Sequence, residues 1–484
     1  MAGALKAAQH EDGSWHPSLL DPSSPDRQEM SGTSFFTYGM LWGLNNGILD
    51  RETYLPVAKK GWSAICRNIN GEGRLGFVQP IAGNPQDGNY YNQNTTEVYA
   101  VGAYLCAAME LRKMIVAETH PDRLIVTAEN PITVFRPSET LEIPWPQAGL
   151  KAEDLRVFDF RNSAVLPHQL YDSDSDGKPD TLLFRSPFLA GQKRVFWLFN
   201  GKDLPAASTA IRCKSRYVPE RLDDFAWEND KVMNRVYGPA VSRPRPQGEG
   251  LLSSGVDVWV KNTPDLMFDK WYKRGNYHHN YGQGMDGYKT ANGCGCGGFG
   301  AVLDGQWSSA INWQAQKHLC DGPVRTAFTL SYAEWPCGKN ATLREERKMI
   351  LDAGSPFTRY ESTFTLKGVE SIQGGPGLDL SEKRHHNGEI AMSLDRGWVA
   401  NYEPPQGNNG SLATAILLPG GGQIATDPLQ GVHLTREIRS AGKMVWYAGS
   451  AWSHAGFYTC AEDWHKAVKD FSESLNHPLK ISIK

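Results

Sequence analysis

The sequence predicts a mainly β protein, a large antiparallel β-sandwich preceded by an all-α segment. Three observations predict it. Apolar residues repeat at helical spacing up to about residue 115. From Leu124 onward they give way to short β-branched and aromatic runs bounded by Pro, Gly or Asp. Fifteen Trp and 49 Gly in 484 residues supply stacking surfaces and tight turns, a composition common among sugar-binding β proteins.

The helical pattern begins at Met1 to Gln9 and runs straight into His10-Glu11-Asp12-Gly13-Ser14-Trp15-His16 without a signal peptide or lead-in, so the start reads as an interior cut. Asp50 is placed to cap a helix in which Tyr54, Val57, Ala58, Trp62 and Ile65 repeat. Val98, Val101, Leu105, Ala108 and Met109 repeat likewise after Thr95 and Thr96. Asn70-Gly71-Glu72-Gly73 and Gly83-Asn84-Pro85-Gln86-Asp87-Gly88 read as connectors. The strand segments start with Leu124-Ile125-Val126-Thr127 and Thr133-Val134-Phe135. They continue with Leu155-Arg156-Val157-Phe158-Asp159-Phe160, Thr181-Leu182-Leu183-Phe184 and Val195-Phe196-Trp197-Leu198-Phe199. A short helix is expected at 461–475. The units are 1–115, 116–218 and 219–484.

A net charge of −3 argues against a nucleic-acid or anionic-membrane partner, because neither is drawn in over long range. No run of about 18 apolar residues exists to span a membrane. Eight Cys in so long a chain do not make a disulfide scaffold.

Asp12-Gly13-Ser14-Trp15-His16, Glu29-Met30-Ser31-Gly32-Thr33-Ser34 and Tyr38-Gly39-Met40-Leu41-Trp42-Gly43 resemble the C-terminal part of the family 88/105 glycoside hydrolases. That resemblance covers residues 1 to about 115. It implies a remnant of an (α/α)6 barrel whose catalytic aspartates, in the family, sit on helices upstream. The family hydrates the vinyl ether of a 4,5-unsaturated uronic acid. Trp15 and His16 fall where it lines its sugar site, but a remnant packed against the β unit is the favoured role.

A second resemblance covers most of the β portion. Its first residues are Pro219-Glu220-Arg221-Leu222-Asp223-Asp224-Phe225-Ala226-Trp227-Glu228-Asn229-Asp230 and Arg235-Val236-Tyr237-Gly238-Pro239-Ala240. Gly255-Val256-Asp257-Val258-Trp259, Trp271-Tyr272, Tyr277-His278, Gly284-Met285-Asp286-Gly287-Tyr288 and Gly297-Gly298-Phe299-Gly300 follow. Gly322-Pro323-Val324-Arg325 and Tyr447-Ala448-Gly449-Ser450-Ala451-Trp452 complete it. Together they look like a bacterial domain family of formerly unknown function that accompanies family 88/105 hydrolases. Its members are linked to ulvan breakdown as oligosaccharide dehydratases. The resemblance implies a supersandwich like those of mutarotases and polysaccharide lyases, and a periplasmic or secreted bacterial setting.

Eliminating water across C4 and C5 of a uronate removes a proton α to a carboxylate, which is very weakly acidic until that charge is neutralised. A base and a cation are needed. His278 is the expected base, with His279 a lesser candidate, and Tyr277, Tyr288 or Tyr237 the acid toward the departing hydroxyl. Arg235, Lys289 or Arg325 is the expected neutraliser, Arg gripping a carboxylate bidentately. Trp271, Trp227, Trp452, Glu228 and Asp286 are candidates for contacting the sugar, with Trp259 as a further platform; sandwich Trp are also common in cores. Glu228 and Asp230 read either as paired carboxylates on one strand face or as a buried network with Arg221 or Arg235.

Asp172, Asp174, Asp176 and Asp180, with Gly177 at the turn, form an oxygen-rich set suited to Ca²⁺ in a structural role, or an Asp-stabilised hairpin without metal. No organic cofactor is expected. Cys294-Gly295-Cys296 reads as structural, and His385-His386 and His318 with Cys320 as surface or strand residues. Residues 270–274 form a small basic patch or a solvated loop.

The leading expectation is a dehydratase or lyase that introduces a 4,5-double bond into the terminal uronic acid of ulvan- or pectin-type oligosaccharides. The alternatives are an unsaturated rhamnogalacturonyl or glucuronyl hydrolase and a non-catalytic carbohydrate-binding protein.

Overall fold

A computed structural model describes residues 1–21, 27–81, 91–145, 149–380 and 388–484. The connector at 83–88 and His385-His386 lie outside the described residues. The protein is mainly β, with antiparallel sheets preceded by a helical segment.

In the helical segment, Met30–Asn45, Arg51–Arg67 and Val98–Thr119 pack together after the short helix Ala2–Ala7. The Glu29 carboxylate accepts from the backbone N–H groups of Ser31 and Gly32, and Asp50 accepts from Thr53 N at 2.8 Å, so both helices start on an acidic cap. Trp15 is buried beside Phe36 and donates its indole N–H to Leu5 O at 2.8 Å. It is a core residue and not a platform for sugar. Of the apolar residues that repeat along Val98–Thr119, Val98, Leu105 and Met109 are exposed and Val101 and Ala108 half-buried, while Ala100, Ala103, Ala107 and Met114 are buried. Ala107 and Met114 pack with Met40 and Leu41, and Ala100 with Met30, all three partners on Met30–Asn45.

The first β unit is a small sandwich. Leu124–Glu129, Leu155–Asp159, Ala164–Leu166 and Lys193–Asn200 form one sheet, facing a second made by Arg136–Pro144, His168–Tyr171 and Thr181–Phe188. The chain's last strand, Lys480–Ile483, pairs back onto Leu124–Glu129, so this unit draws on residues outside 116–218. Sequence alone gives no sign of that closure, which joins strands more than 350 residues apart.

Three larger sheets enclose the main core. An eight-stranded sheet runs from Ala315–Cys320 at one edge to Glu389–Ser393 at the other, with Arg325–Cys337, Ala341–Asp352, Phe357–Lys367 and Lys443–Trp452 near its middle. A five-stranded sheet contains Cys296–Leu303, Ser371–Asp379 and Gly431–Arg439. The third holds Lys214–Val218, Asp224–Glu228, Val232–Val236, Val256–Lys261 and Gly284–Met285. Trp227, Trp446 and Trp452 are buried among these sheets. The expected short helix is Ala461–Asn476, seated by Trp464, whose indole N–H donates to Thr414 O at 3.1 Å. All eight Cys are free thiols.

Candidate functional site

Alternation along the third sheet builds the site. Phe225, Trp227, Val232, Val236, Val256, Val258 and Val260 point into the main core. The period of two then sends Asp224, Ala226, Glu228, Met233, Arg235, Asp257, Trp259 and Lys261 to the opposite face. Register completes the arrangement: Arg235 stands directly across from Asp257 on one side and Ala226 on the other.

Two buried cations, Lys261 with one carboxylate and Arg235 with three, occupy this face. Lys261 Nζ lies 2.8 Å from Glu228 Oε2 and also donates to Asn229 O at 2.7 Å. Glu228 Oε1 accepts the backbone N–H groups of Met267 and Phe268 at 2.6 and 2.7 Å, which starts the helix Phe268–Arg274 over the sheet. Arg235 is buried among three carboxylates, with Nε 2.7 Å from Asp257, Nη2 2.9 Å from Asp286 and Nη1 3.4 Å from Asp224. Burial pushes Asp224 up to about 6 against the opposing pull of Arg235 and Arg221. Burial first, and Asp257 next, push Asp286 well above the usual carboxylate range.

Trp259 floors the cluster, with Tyr277 stacked on it at 4.5 Å and Trp271 at 5.9 Å. The Tyr277 hydroxyl oxygen accepts from Arg221 Nε at 2.9 Å and from Arg235 Nη1 at 3.1 Å. Arg221 Nη2 donates to Glu249 at 2.7 Å, while its Nη1 has no hydrogen-bond partner among the described residues. Next to Tyr277, the His278 side chain is 64% exposed and its Nδ1 lies 3.2 Å from Asp286 Oδ2 and from Asp286 O. With Nδ1 turned to two acceptors, Nε2 is the lone pair facing solvent. His279 and Lys289 are exposed in the same stretch of chain.

The structure thus brings together His278, Tyr277, Asp286 and Arg235, and corrects other expectations. Arg235 is saturated by its three carboxylates, so it supports the site and does not neutralise a ligand. Arg325 lies elsewhere, buried against Asp352 and Glu142 under the first sandwich. Tyr288 is buried and donates to Asp379 O at 3.5 Å; Tyr237 is buried beneath Arg235, and burial raises both phenols. Trp227, Trp271 and Trp452 are 0%, 3% and 2% exposed, because each indole fills core volume and those of Trp227 and Trp452 donate to Thr358 Oγ1 and Asn409 O. Glu228 is consumed by Lys261 and the helix start, and Asp286 by Arg235 and His278, so neither reaches a sugar. Asp230 leaves the strand and pairs with Arg212 at 2.8 Å.

Arg221 was the residue least legible as a site member. It precedes the strand, and only the fold of the loop bearing Tyr277 shows what it reaches.

In the turn between His168–Tyr171 and Thr181–Phe188, oxygens of Asp172, Asp174 and Asp176 lie within 4.8 Å of one another. Asp180 is not among them. It turns inward to accept from Ser173 N and Oγ and from Thr181 Oγ1. Asp172 also accepts backbone N–H groups of Ser175, Asp176 and Gly177, so it shapes the turn itself.

Comparison with known proteins covers both parts of the chain. The family model described as "Domain of unknown function (DUF4861)" matches residues 128–481, and that of Glycosyl Hydrolase Family 88 matches residues 1–115. A Formosa agariphila protein named "Uncharacterized protein P7" is 32% identical over 403 residues, 80% of this chain and 100% of its own length. An "Unsaturated 3S-rhamnoglycuronyl hydrolase" of the same organism is 38% identical over 114 residues, 24% of this chain and 29% of its own. A solved glycosyl hydrolase family 88 structure from Bacteroides vulgatus is 37% identical over 23% of this chain and 32% of its own, with a TM-score of 0.22. The chain therefore spans less than a third of that hydrolase and of that structure, and all of the first relative.

Proposed function

We propose an activity for a chain that belongs to the DUF4861 family, with a glycoside hydrolase family 88-like segment at 1–115: elimination of water from the terminal uronic acid of an oligosaccharide. The observation that carries it is the convergence of Arg221 and Arg235 on the Tyr277 hydroxyl, beside an exposed His278 held by Asp286.

The chemistry follows from those contacts. His278 Nε2 takes the proton from C5 of the sugar, and the side-chain and backbone oxygens of Asp286 hold the ring in place through Nδ1. The C4–O bond breaks, the C4=C5 bond forms, and the departing hydroxyl leaves as water with the Tyr277 proton. The phenolate left behind is stabilised by the two guanidinium donors already aimed at it. Proton transfer through solvent from His278 to Tyr277 resets the site. Lys289, exposed in the same stretch with His279, takes the place of Arg235 as the group that neutralises the sugar carboxylate, while Arg221, whose Nη1 is buried, holds the Tyr277 hydroxyl.

The substrate on this reading is an acidic oligosaccharide of ulvan or pectin type, and the setting periplasmic or secreted. No helix among the described residues is long and apolar enough to cross a membrane. The hydrolase alternative rests on the match at 1–115 and on a relative named as an unsaturated 3S-rhamnoglycuronyl hydrolase. A saturated glucuronyl-rhamnose disaccharide separates the readings. A dehydratase yields a product lighter by one water and absorbing in the ultraviolet, a hydrolase yields two sugars, and a binding protein yields neither. Ca²⁺ remains our proposal for the 172–176 turn, where three hard carboxylates offer oxygens within 4.8 Å of one another.

A further inference from the structure

The geometry points to a second site, a divalent transition-metal centre of the zinc class held by Cys294, Asp427 and His433. One Sγ, one carboxylate oxygen and one imidazole nitrogen lie within 4.8 Å of one another there. None of these residues belongs to the Tyr277 and His278 site, and sequence spacing hides them, since Cys294 is more than 130 residues from its partners.

The orientation of each donor supports a metal. His433 Nδ1 faces Gly375 O at 3.2 Å, which only accepts, so Nδ1 carries the hydrogen and Nε2 presents a lone pair. That lone pair faces Asp427 Oδ2 at 3.1 Å. Two acceptors so placed are reconciled by a shared proton or by a metal ion, and a sulfur within 4.8 Å of both favours the ion. The 3.1 Å spacing approaches the edge of a zinc coordination tetrahedron, roughly 3.3 Å from bond lengths near 2.0–2.1 Å. An imidazole fixed by a backbone carbonyl through its other nitrogen is the usual outer support of a metal-bound His. The Asp427 carboxylate is fixed too: its Oδ1 accepts from Leu429 N at 2.7 Å and Gly431 N at 2.9 Å.

The backbone is cut to fit this cluster. Gly377 lies across the sheet from His433, and a Cβ there would stand 2.2 Å from the imidazole Cε1. A Cβ on Gly431 would stand 2.5 Å from Asp427 Oδ2 and 2.8 Å from Cys294 Sγ. Trp307 covers the imidazole at 4.2 Å. All three donors line a cavity of about 160 Å³, whose walls also carry Ser253, Ser254, Asn292 and Ser309. Three protein ligands beside a cavity with hydroxyl and amide groups in its walls leave a fourth position for water or a substrate oxygen, the pattern of zinc sites that keep an exchangeable ligand.

The test loads the full-length protein, stripped with a chelator, with cobalt chloride or zinc chloride alone. One cobalt per chain is expected, with visible bands of tetrahedral intensity and a sulfur-to-cobalt charge-transfer band. Cys294→Ser should remove the charge-transfer band, and His433→Gln should weaken cobalt binding at least tenfold. Cobalt spectra without a sulfur band, or spectra unchanged in Cys294→Ser, overturn the site. Should either variant fail to fold, alkylation of the wild-type thiols decides. Zinc is expected to protect Cys294, whose side chain lines the cavity, while the exposed Cys66 and Cys460 react as before. Equal alkylation of Cys294 with and without zinc overturns the site, as does a thiol that never reacts in the stripped protein but binds no cobalt.

Discussion

His278 Nδ1 lies 3.2 Å from Asp286 Oδ2, and the same carboxylate oxygen sits 2.9 Å from Arg235 Nη2. One buried oxygen therefore links an exposed imidazole to a guanidinium locked into the sheet. The imidazole keeps its orientation without being buried, which is what a base working on a bulky sugar requires.

Replacing His278 by Ala is expected to lower kcat for water elimination by about 10²- to 10⁴-fold, the usual contribution of a positioned acid or base. Tyr277→Phe should fall by a comparable factor with little change in KM. Steady-state ultraviolet kinetics on the saturated disaccharide measure both. Because Tyr277 stacks on Trp259, the Phe variant keeps the packing and isolates the hydroxyl.

Arg235→Met should act on stability. Its removal leaves Asp224, Asp257 and Asp286 buried without their shared cation, a loss of about 3–5 kcal/mol. Urea denaturation followed by tryptophan fluorescence reads it. Arg221→Lys is expected to leave stability within about 1 kcal/mol, because Arg221 is partly exposed, and to lower kcat through loss of the Nε donor on the Tyr277 hydroxyl.

Asp224 gives a pH signature. Its carboxyl is pushed up to about 6 in the folded protein from an ordinary value of 3.8, so the folded state holds the proton more tightly. The resulting stabilisation is full below the unfolded value and is lost as pH rises through the folded one, about 3 kcal/mol over that window. Asp224→Asn lacks this titration. The wild type should therefore lose Tm relative to Asp224→Asn between pH 4 and pH 7, and parallel curves would contradict the shift.

Adding calcium should raise Tm, and Asp174→Ala or Asp176→Ala should abolish the increment while leaving the calcium-free Tm nearly unchanged. Both side chains are exposed and each accepts one backbone hydrogen bond, while Asp172 and Asp180 each accept three hydrogen bonds. An identical Tm with calcium and with chelator would show the turn to be held by those bonds alone.

The switch from helical to strand periodicity near Leu124 was legible in the sequence, as were the Asp50 cap and the helix at Ala461–Asn476, because these are local signals. The pairing of Lys480–Ile483 with Leu124–Glu129 was not, since register between distant strands leaves no local trace. The stretch around Tyr277 and His278 stood out by its residue types. Which Arg serves it did not, for Arg235 looks free in sequence and is surrounded by carboxylates only once Asp257 on Val256–Lys261 and Asp286 just past Gly284–Met285 are brought to it. Trp227 and Trp452 misled for the opposite reason: an indole suits a sugar platform and a core equally well, and burial alone decides.

The most direct measurement is incubation of the full chain with a saturated glucuronyl-rhamnose disaccharide, followed by mass spectrometry and ultraviolet absorbance, for wild type and His278→Ala side by side. The account predicts a wild-type product lighter by one water with a new conjugated double bond, formed at least 100-fold more slowly by the variant. A product from His278→Ala at the wild-type rate, or no dehydrated product from the wild type, would contradict it.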